Sequence, residues 1–222
     1  MTKISFIFIF FCLGLTINSS ASADSFQSEF GIHAYGDSLT YGSGVTDRHE
    51  GFAFQIARRL DLTINNQAIG GTTIEQWGQL PSILGTSFNK GQIVIFLPGF
   101  NDSRTFYQDP SYSARFAGIL KRIFDHLESA EVEAYIGTCI KAYSGWYSKN
   151  SGFDQALLDG SCDNLAQITR IMIAKGNYHH IHLVDTNASI SFTANEMNSD
   201  LLHPNELGHK KIADFFLSKM KI

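Results

Sequence analysis

With 222 residues the chain is long enough for one sizeable α/β domain and too short for two comfortable ones. Hydrophobic residues make up 44% and charged residues 17%, and 18 Phe and 8 Tyr supply a core, which is the balance of a packed globular protein. The formal charge is only −4 and the basic residues are scattered, so the basic stripe that a phosphate backbone requires is excluded and no nucleic-acid partner is expected.

The chain opens with what reads as an export leader over residues 1–23. Lys3 supplies a positive start, Ile4 to Ile17 is almost unbroken apolar sequence, and Ser19-Ser20-Ala21-Ser22-Ala23 has the small-x-small pattern that signal peptidases cut, here after Ala23. A retained anchor would need about 20 apolar residues against the roughly 14 present, so no integral membrane segment is expected once the leader is removed. Cys12 raises a lipoprotein alternative, but Phe10-Phe11 before it lacks the small residues of such processing. Residues 24–222 are read as a single domain, exported to the periplasm or the medium.

Past the leader, Phe30 to Tyr35, Leu62 to Asn66, Gln92 to Leu97, Val132 to Gly137 and Ile181 to Val184 are expected as strands, being brief, β-branched or aromatic and bounded by turn residues. Between and after them, Phe52 to Leu60, Ser111 to Ala130, Asp154 to Lys175 and Glu206 to Lys219 are expected as helices, the third broken near Gly160. The last begins from His203-Pro204-Asn205, with Pro204 tolerated in its first turn. In the second, Phe116, Ile119, Leu120, Ile123, Phe124 and Leu127 lay one apolar stripe along one face. Strand-helix alternation implies parallel strands joined by right-handed crossovers, hence a three-layer α/β/α sandwich on a mostly five-stranded parallel sheet. Ligands in such sheets sit beyond the carboxyl ends of the strands.

Four motifs fall just after strands or before the last helix. In Tyr35-Gly36-Asp37-Ser38-Leu39-Thr40 the glycine permits a sharp turn that leaves Ser38 at a strand end and at the start of a helical turn, where free N–H groups suit a developing oxyanion; the bland alternative is an N-cap. Asn66-Gln67-Ala68-Ile69-Gly70-Gly71-Thr72 offers a bare backbone N–H, or simply a flexible turn. Leu97-Pro98-Gly99-Phe100-Asn101-Asp102 offers the Asn101 amide to an oxyanion, or an ordinary Asn-Asp turn. In Asp200-Leu201-Leu202-His203-Pro204, three residues of separation can bring a carboxylate to an imidazole Nδ1, leaving Nε2 to take a proton. There is no G-x-S-x-G elbow around Ser38, which argues against the larger α/β-hydrolase fold.

Together these four blocks are far more specific than any one of them. The chain resembles the GDSL, or SGNH, hydrolase family, named for a serine, a glycine, an asparagine and a histidine in four separate blocks, and all four occur here in the family's order from Gly36 to His203. The resemblance implies the SGNH-hydrolase (flavodoxin-like) sandwich and a carboxylic-ester hydrolase that needs no cofactor. Carried over, Ser38 is the nucleophile, His203 the base and Asp200 the residue that orients it. The amides of Ser38 and Gly71 and the side chain of Asn101 form the oxyanion hole, although the adjacent Gly70 leaves a one-residue ambiguity. Short-acyl, lipid and acetylated-sugar esters all remain open as substrates. A non-catalytic carbohydrate- or surface-binding module on the same scaffold, or an acyltransferase using the same residues, is the alternative.

Other residues carry weaker signals. Tyr143, Trp146 and Tyr147 follow the fourth strand and form either a substrate wall or ordinary loop packing. In an oxidising compartment Cys139 and Cys162 either form a disulfide or remain free thiols. His179, His180 and His182 crowd near the last strand without a suitably spaced Cys or carboxylate, so no metal is expected. His33 reads as a core or helix-facing histidine and His209 as a surface residue on the last helix.

Overall fold

Short runs of Ile, Val and aromatic residues build the sheet, because β-branched and aromatic side chains fit a surface buried on both faces. The computed structural model describes residues 31–79 and 81–221, so the expected leader, Cys12 and Phe30 lie outside the described residues. The strands are β1 Ile32–Gly36, β2 Ile64–Asn66, β3 Ile93–Leu97, β4 Glu133–Gly137 and β5 Ile181–Val184, all parallel, in the order β2-β1-β3-β4-β5. The helices are α1 Ser38–Tyr41, α2 Phe52–Arg59, α3 Ile74–Gln79, α4 Pro81–Leu84, α5 Phe100–Gln108, α6 Tyr112–Ser129, α7 Ser144–Lys149, α8 Gln155–Lys175, α9 Thr186–Ser189 and α10 Glu206–Leu217.

Alternation along the strands splits the core in two. Ile32, Ala34, Ile93, Ile95 and Leu97 pack against Phe52, Ile56, Ile212 and Phe216 of α2 and α10 on one face. On the other, Tyr35, Val94, Phe96, Ala134 and Ile136 pack against Trp77 of α3 and the stripe Phe116, Leu120, Ile123, Phe124 and Leu127 of α6. Each of those large side chains contributes about 1.5–3 kcal/mol by leaving water. The result is the expected three-layer sandwich. Its strand order reverses between β1 and β3, and that reversal opens a crevice at the carboxyl ends of the two strands, where open α/β sheets bind ligands. Ser38 follows β1 and Asn101 follows β3.

Three local readings are corrected. Helix α8 runs unbroken through Gly160: a mid-helix glycine costs only about 1 kcal/mol, and Leu158, Cys162, Leu165 and Ala166 bury the flanking turns. Pro204 is not in the first turn of α10; it forms an isolated antiparallel bridge with Met197. Asn205 is the cap, its Oδ1 accepting the N–H groups of Leu207 at 3.0 Å and Gly208 at 3.3 Å. Gly99-Phe100-Asn101-Asp102 is not a loop turn, since Phe100 to Gln108 is helical.

Cys139, just past β4, is joined to Cys162 of α8, with the two Cα atoms 5.5 Å apart. Closing a loop of this length contributes roughly 3 kcal/mol in the chain-entropy account.

Candidate active site

Ser38 owes its position to the residue before it. Asp37 has extended backbone and caps α1, its Oδ1 accepting the Leu39 N–H at 3.0 Å, so Ser38 is the first residue of the helical turn that leaves β1. The Ser38 Oγ lies 3.0 Å from His203 Nε2 across 165 residues of sequence.

His203 is held by a turn that Asp200 organises with both carboxylate oxygens. Oδ1 accepts the N–H groups of Leu202 and His203, each at 3.0 Å, and Oδ2 accepts from His203 Nδ1 at 2.6 Å. Leu201 takes a left-handed conformation with φ 57°, which costs a non-glycine residue about 1–2 kcal/mol. The turn is closed by Leu201 N–H to Asn198 O and Asn198 N–H to His203 O, both 2.9 Å. Burial alone would raise the Asp200 carboxyl, but the His203 N–H, the imidazole and the Leu202 N–H outweigh it and hold the group below the ordinary carboxylate value. An ionised Asp200 keeps the proton on Nδ1 and leaves Nε2 as the acceptor facing the serine.

The glycine and asparagine blocks meet this pair from the other side. A Cβ built on Gly70 would lie 3.7 Å from Ser38 Cβ, whereas Gly71 has φ +79°, a conformation that favours glycine, and faces open space. Asn101 Nδ2 donates to Thr72 O at 3.2 Å and, at a longer 3.4 Å, to Asp37 Oδ2. Beneath it Asp102 is fully buried, its Oδ1 accepting the Ile74 N–H at 2.7 Å and the Tyr112 hydroxyl at 2.5 Å, which ties α3, α5 and α6 together. Burial pushes the Asp37 carboxyl up to about 7 and that of Asp102 up to about 6.

The model of the GDSL-like Lipase/Acylhydrolase family matches residues 34–211. The chain belongs to that family. Among solved structures it is similar in fold to TesA, at 16% identity and a TM-score of 0.65, covering 86% of this chain and 97% of the other. It is similar to a catalytic mutant of Axe2, an acetylxylan esterase from Geobacillus stearothermophilus, at 15% identity and a TM-score of 0.65, covering 88% and 95%. A third likeness is to phospholipase A1 from Streptomyces albidoflavus, at 16% identity and a TM-score of 0.59, covering 86% and 100%. No sequence match to a curated protein was found. A carboxylic-ester hydrolase is the activity this family membership supports.

A cavity of about 20 Å³ opens beside Ser38 and His203, walled by Leu39, Phe100, Ile140, Ala142, Phe192 and Leu202. Trp146 and Tyr147 do not wall it. They are buried at 6% and 8% exposure and pack with Leu158, Phe100 and Phe153, and the Tyr147 hydroxyl donates to Asp159 at 2.8 Å. Their large apolar surface seats α7 against α8, which is the packing alternative of the two the sequence leaves open. Tyr143 lines a neighbouring polar hollow with Lys141, Gln155, Asp159 and Asn187.

His33 is fully buried, edge-on to Phe88 at 5.3 Å. Spacing along the chain offers the His179–His182 cluster no carboxylate, but the fold supplies two. Glu133 of β4 receives His180 Nδ1 at 2.8 Å and His182 Nε2 at 2.5 Å, and Glu128 of α6 holds His179 at 3.1 Å. Among the described residues no group of three or more such side chains is arranged to hold a metal.

His209 corrects the surface reading. It is fully buried, Nδ1 accepts the Phe52 N–H at 3.3 Å, and Nε2 donates to Ser43 O at 2.9 Å. Its spacing to Ile212, Ala213 and Phe216 places it on the apolar face of α10, a signal present in the sequence. Burial holds its imidazole down to about 4, so it stays neutral and keeps both bonds. Through Ser43 it anchors the loop that backs the Asp200–His203 turn. There Gly44 (φ +102°) has no room for a side chain, because a Cβ would run into the Pro204 carbonyl oxygen and lie 2.9 Å from His203 Cβ. Gly44→Ala is therefore expected to push His203 away from Ser38 and lower kcat on p-nitrophenyl acetate about 10²-fold, the cost of roughly 1 Å of misplacement. A wild-type kcat from the folded variant would show that the loop does not position the imidazole.

Proposed function

We propose that this chain is an exported serine ester hydrolase that cleaves carboxylic esters of short acyl groups by two-step acyl transfer. One observation carries the proposal: Ser38 Oγ, His203 Nε2, His203 Nδ1 and Asp200 Oδ2 form a continuous chain of hydrogen bonds at 3.0 and 2.6 Å. A serine hydroxyl is a weak nucleophile until a base within such reach takes its proton.

In the reaction, Ser38 Oγ attacks the ester carbonyl as its proton passes to His203 Nε2, and Asp200 stabilises the imidazolium. The carbonyl oxygen becomes an oxyanion facing the amides of Ser38 and Gly71 and the side chain of Asn101. The Asn101 hydrogen held by the long Asp37 contact is the one that turns to the substrate. Collapse expels the alcohol, protonated by His203, and leaves an acyl-enzyme. Water, deprotonated by the same imidazole, then attacks the acyl carbon and releases the acid and free Ser38.

The short acyl group is supported by the small cavity beside Ser38, since about 20 Å³ accommodates little beyond one water- or methyl-sized group. Export is supported by the leader pattern of residues 1–23 and by the Cys139–Cys162 bond, which suits an oxidising compartment. The test of substrate size is a series of p-nitrophenyl esters from acetate to palmitate. kcat/KM is expected to be greatest at acetate and to fall at least about tenfold by octanoate, because Phe100, Ile140, Phe192 and Leu202 would have to part to admit a longer chain. A maximum at octanoate or beyond would overturn the short-acyl assignment.

A further inference from the structure

Ser38 lines one cavity, and the proposed oxyanion donors Gly71 and Asn101 line another, and the two differ in chemistry. The cavity on the His203 side is small and mostly apolar, and the Lys141 ammonium on its lining is paired with Asp163 at 2.7 Å. On the other side a hollow of about 200 Å³ is lined by Gly71, Thr73, Asn101, Arg104, Thr105 and Gln108, with no acidic residue among them. Its rim therefore includes two of the proposed oxyanion donors, and its single charged group is the guanidinium of Arg104.

Arg104 is brought to this hollow by the helix that carries Asn101. It lies one turn further along α5, exposed at the hollow, with its guanidinium carbon 5.1 Å from the centre of the Phe153 ring, which holds one planar face. Arg58, Arg59, Arg115 and Arg170 each meet a carboxylate at 3.0 Å or closer, and Arg48 and Arg122, which have no ion pair among the described residues, do not line the hollow. Among the described residues none gives Arg104 an ion pair. A guanidinium whose fork is not spent on a protein carboxylate is matched in geometry to a carboxylate or phosphate from outside.

We infer that this hollow is a subsite for an anionic group, carboxylate or phosphate, on the alcohol half of the ester, with Arg104 as the residue that selects it. The inference rests on the esterase reading of Ser38, because the acyl half is there assigned to the apolar cavity and the alcohol must leave the serine on another side. Arg104 is a specificity residue in this scheme: it binds the part of the substrate that departs and takes no part in proton transfer.

The experiment compares the acetyl esters methyl 4-acetoxybenzoate (neutral), 4-acetoxybenzoate (a carboxylate) and 4-acetoxyphenyl phosphate in wild type, Arg104→Gln and Arg104→Lys. Leaving-group differences cancel when the anionic-to-neutral ratio of kcat/KM is compared between enzymes. The ratio is expected to fall about tenfold or more in Arg104→Gln and less in Arg104→Lys, with turnover of the neutral ester within about twofold of wild type. In wild type, added salt should erode the same preference. The phosphate and carboxylate arms tell which anion is preferred. An unchanged ratio, or an equal loss on neutral and anionic esters, overturns the subsite, whereas no turnover of any ester by wild type overturns the esterase reading itself.

Discussion

Ser38→Ala is expected to reduce kcat on p-nitrophenyl acetate by about 10⁶, to near background, while the protein keeps its thermal midpoint. The magnitude follows from the all-or-none nature of a nucleophile and its base: removing either forfeits the covalent path, and only binding and oxyanion stabilisation remain. Folding should be spared, since the hydroxyl's contact is with the His203 imidazole and the helical turn is capped by Asp37. A fluorophosphonate probe checks the same claim without a substrate, because it labels only an activated serine. Wild type should be labelled at Ser38 and the alanine variant should not. Full esterase activity in Ser38→Ala would remove the nucleophile assignment.

The second large effect is at Asn101. Asn101→Ala should lower kcat by about 10²–10³ with little change in KM, the signature of an interaction made in the transition state and not with the bound ester. A structural explanation predicts something different. The amide also holds Thr72 O and Asp37 Oδ2, so a merely structural loss would loosen the Gly71 loop, raise KM and lower the thermal midpoint. Steady-state kinetics on acetyl esters beside a melting curve separates the two. A tenfold rise in KM with kcat intact would assign Asn101 to scaffolding.

Much of the fold was legible because its signals are local. β3 runs apolar over five residues, Ile93–Leu97, and the stripe from Phe116 to Leu127 repeats at helical spacing. Short helices were less legible. Phe100 to Gln108 is rich in Asn, Asp, Ser and Thr, which favour turns in isolation. It is helical here because Phe100 packs on Trp146 and Asp102 is buried against Ile74 and Tyr112. Trp146 and Tyr147 were ambiguous for a related reason: a ring that packs and a ring that faces a substrate have the same composition.

The sequence by itself determined the five strands, the long helices and the four blocks whose side chains can do acyl-transfer chemistry, since each depends on residues within a few positions of one another, and the parallel sheet follows from the alternation of strand and helix. Only the tertiary structure decided which groups touch. It set the imidazole of His203 against Ser38, buried His209 behind Ser43, fitted the bare Gly44 beneath the histidine turn, and put Arg104 in one hollow with Gly71 and Asn101. The physical reason is that such contacts join segments far apart along the chain. Their geometry comes from how strands and helices stack, and no spacing within one segment encodes it.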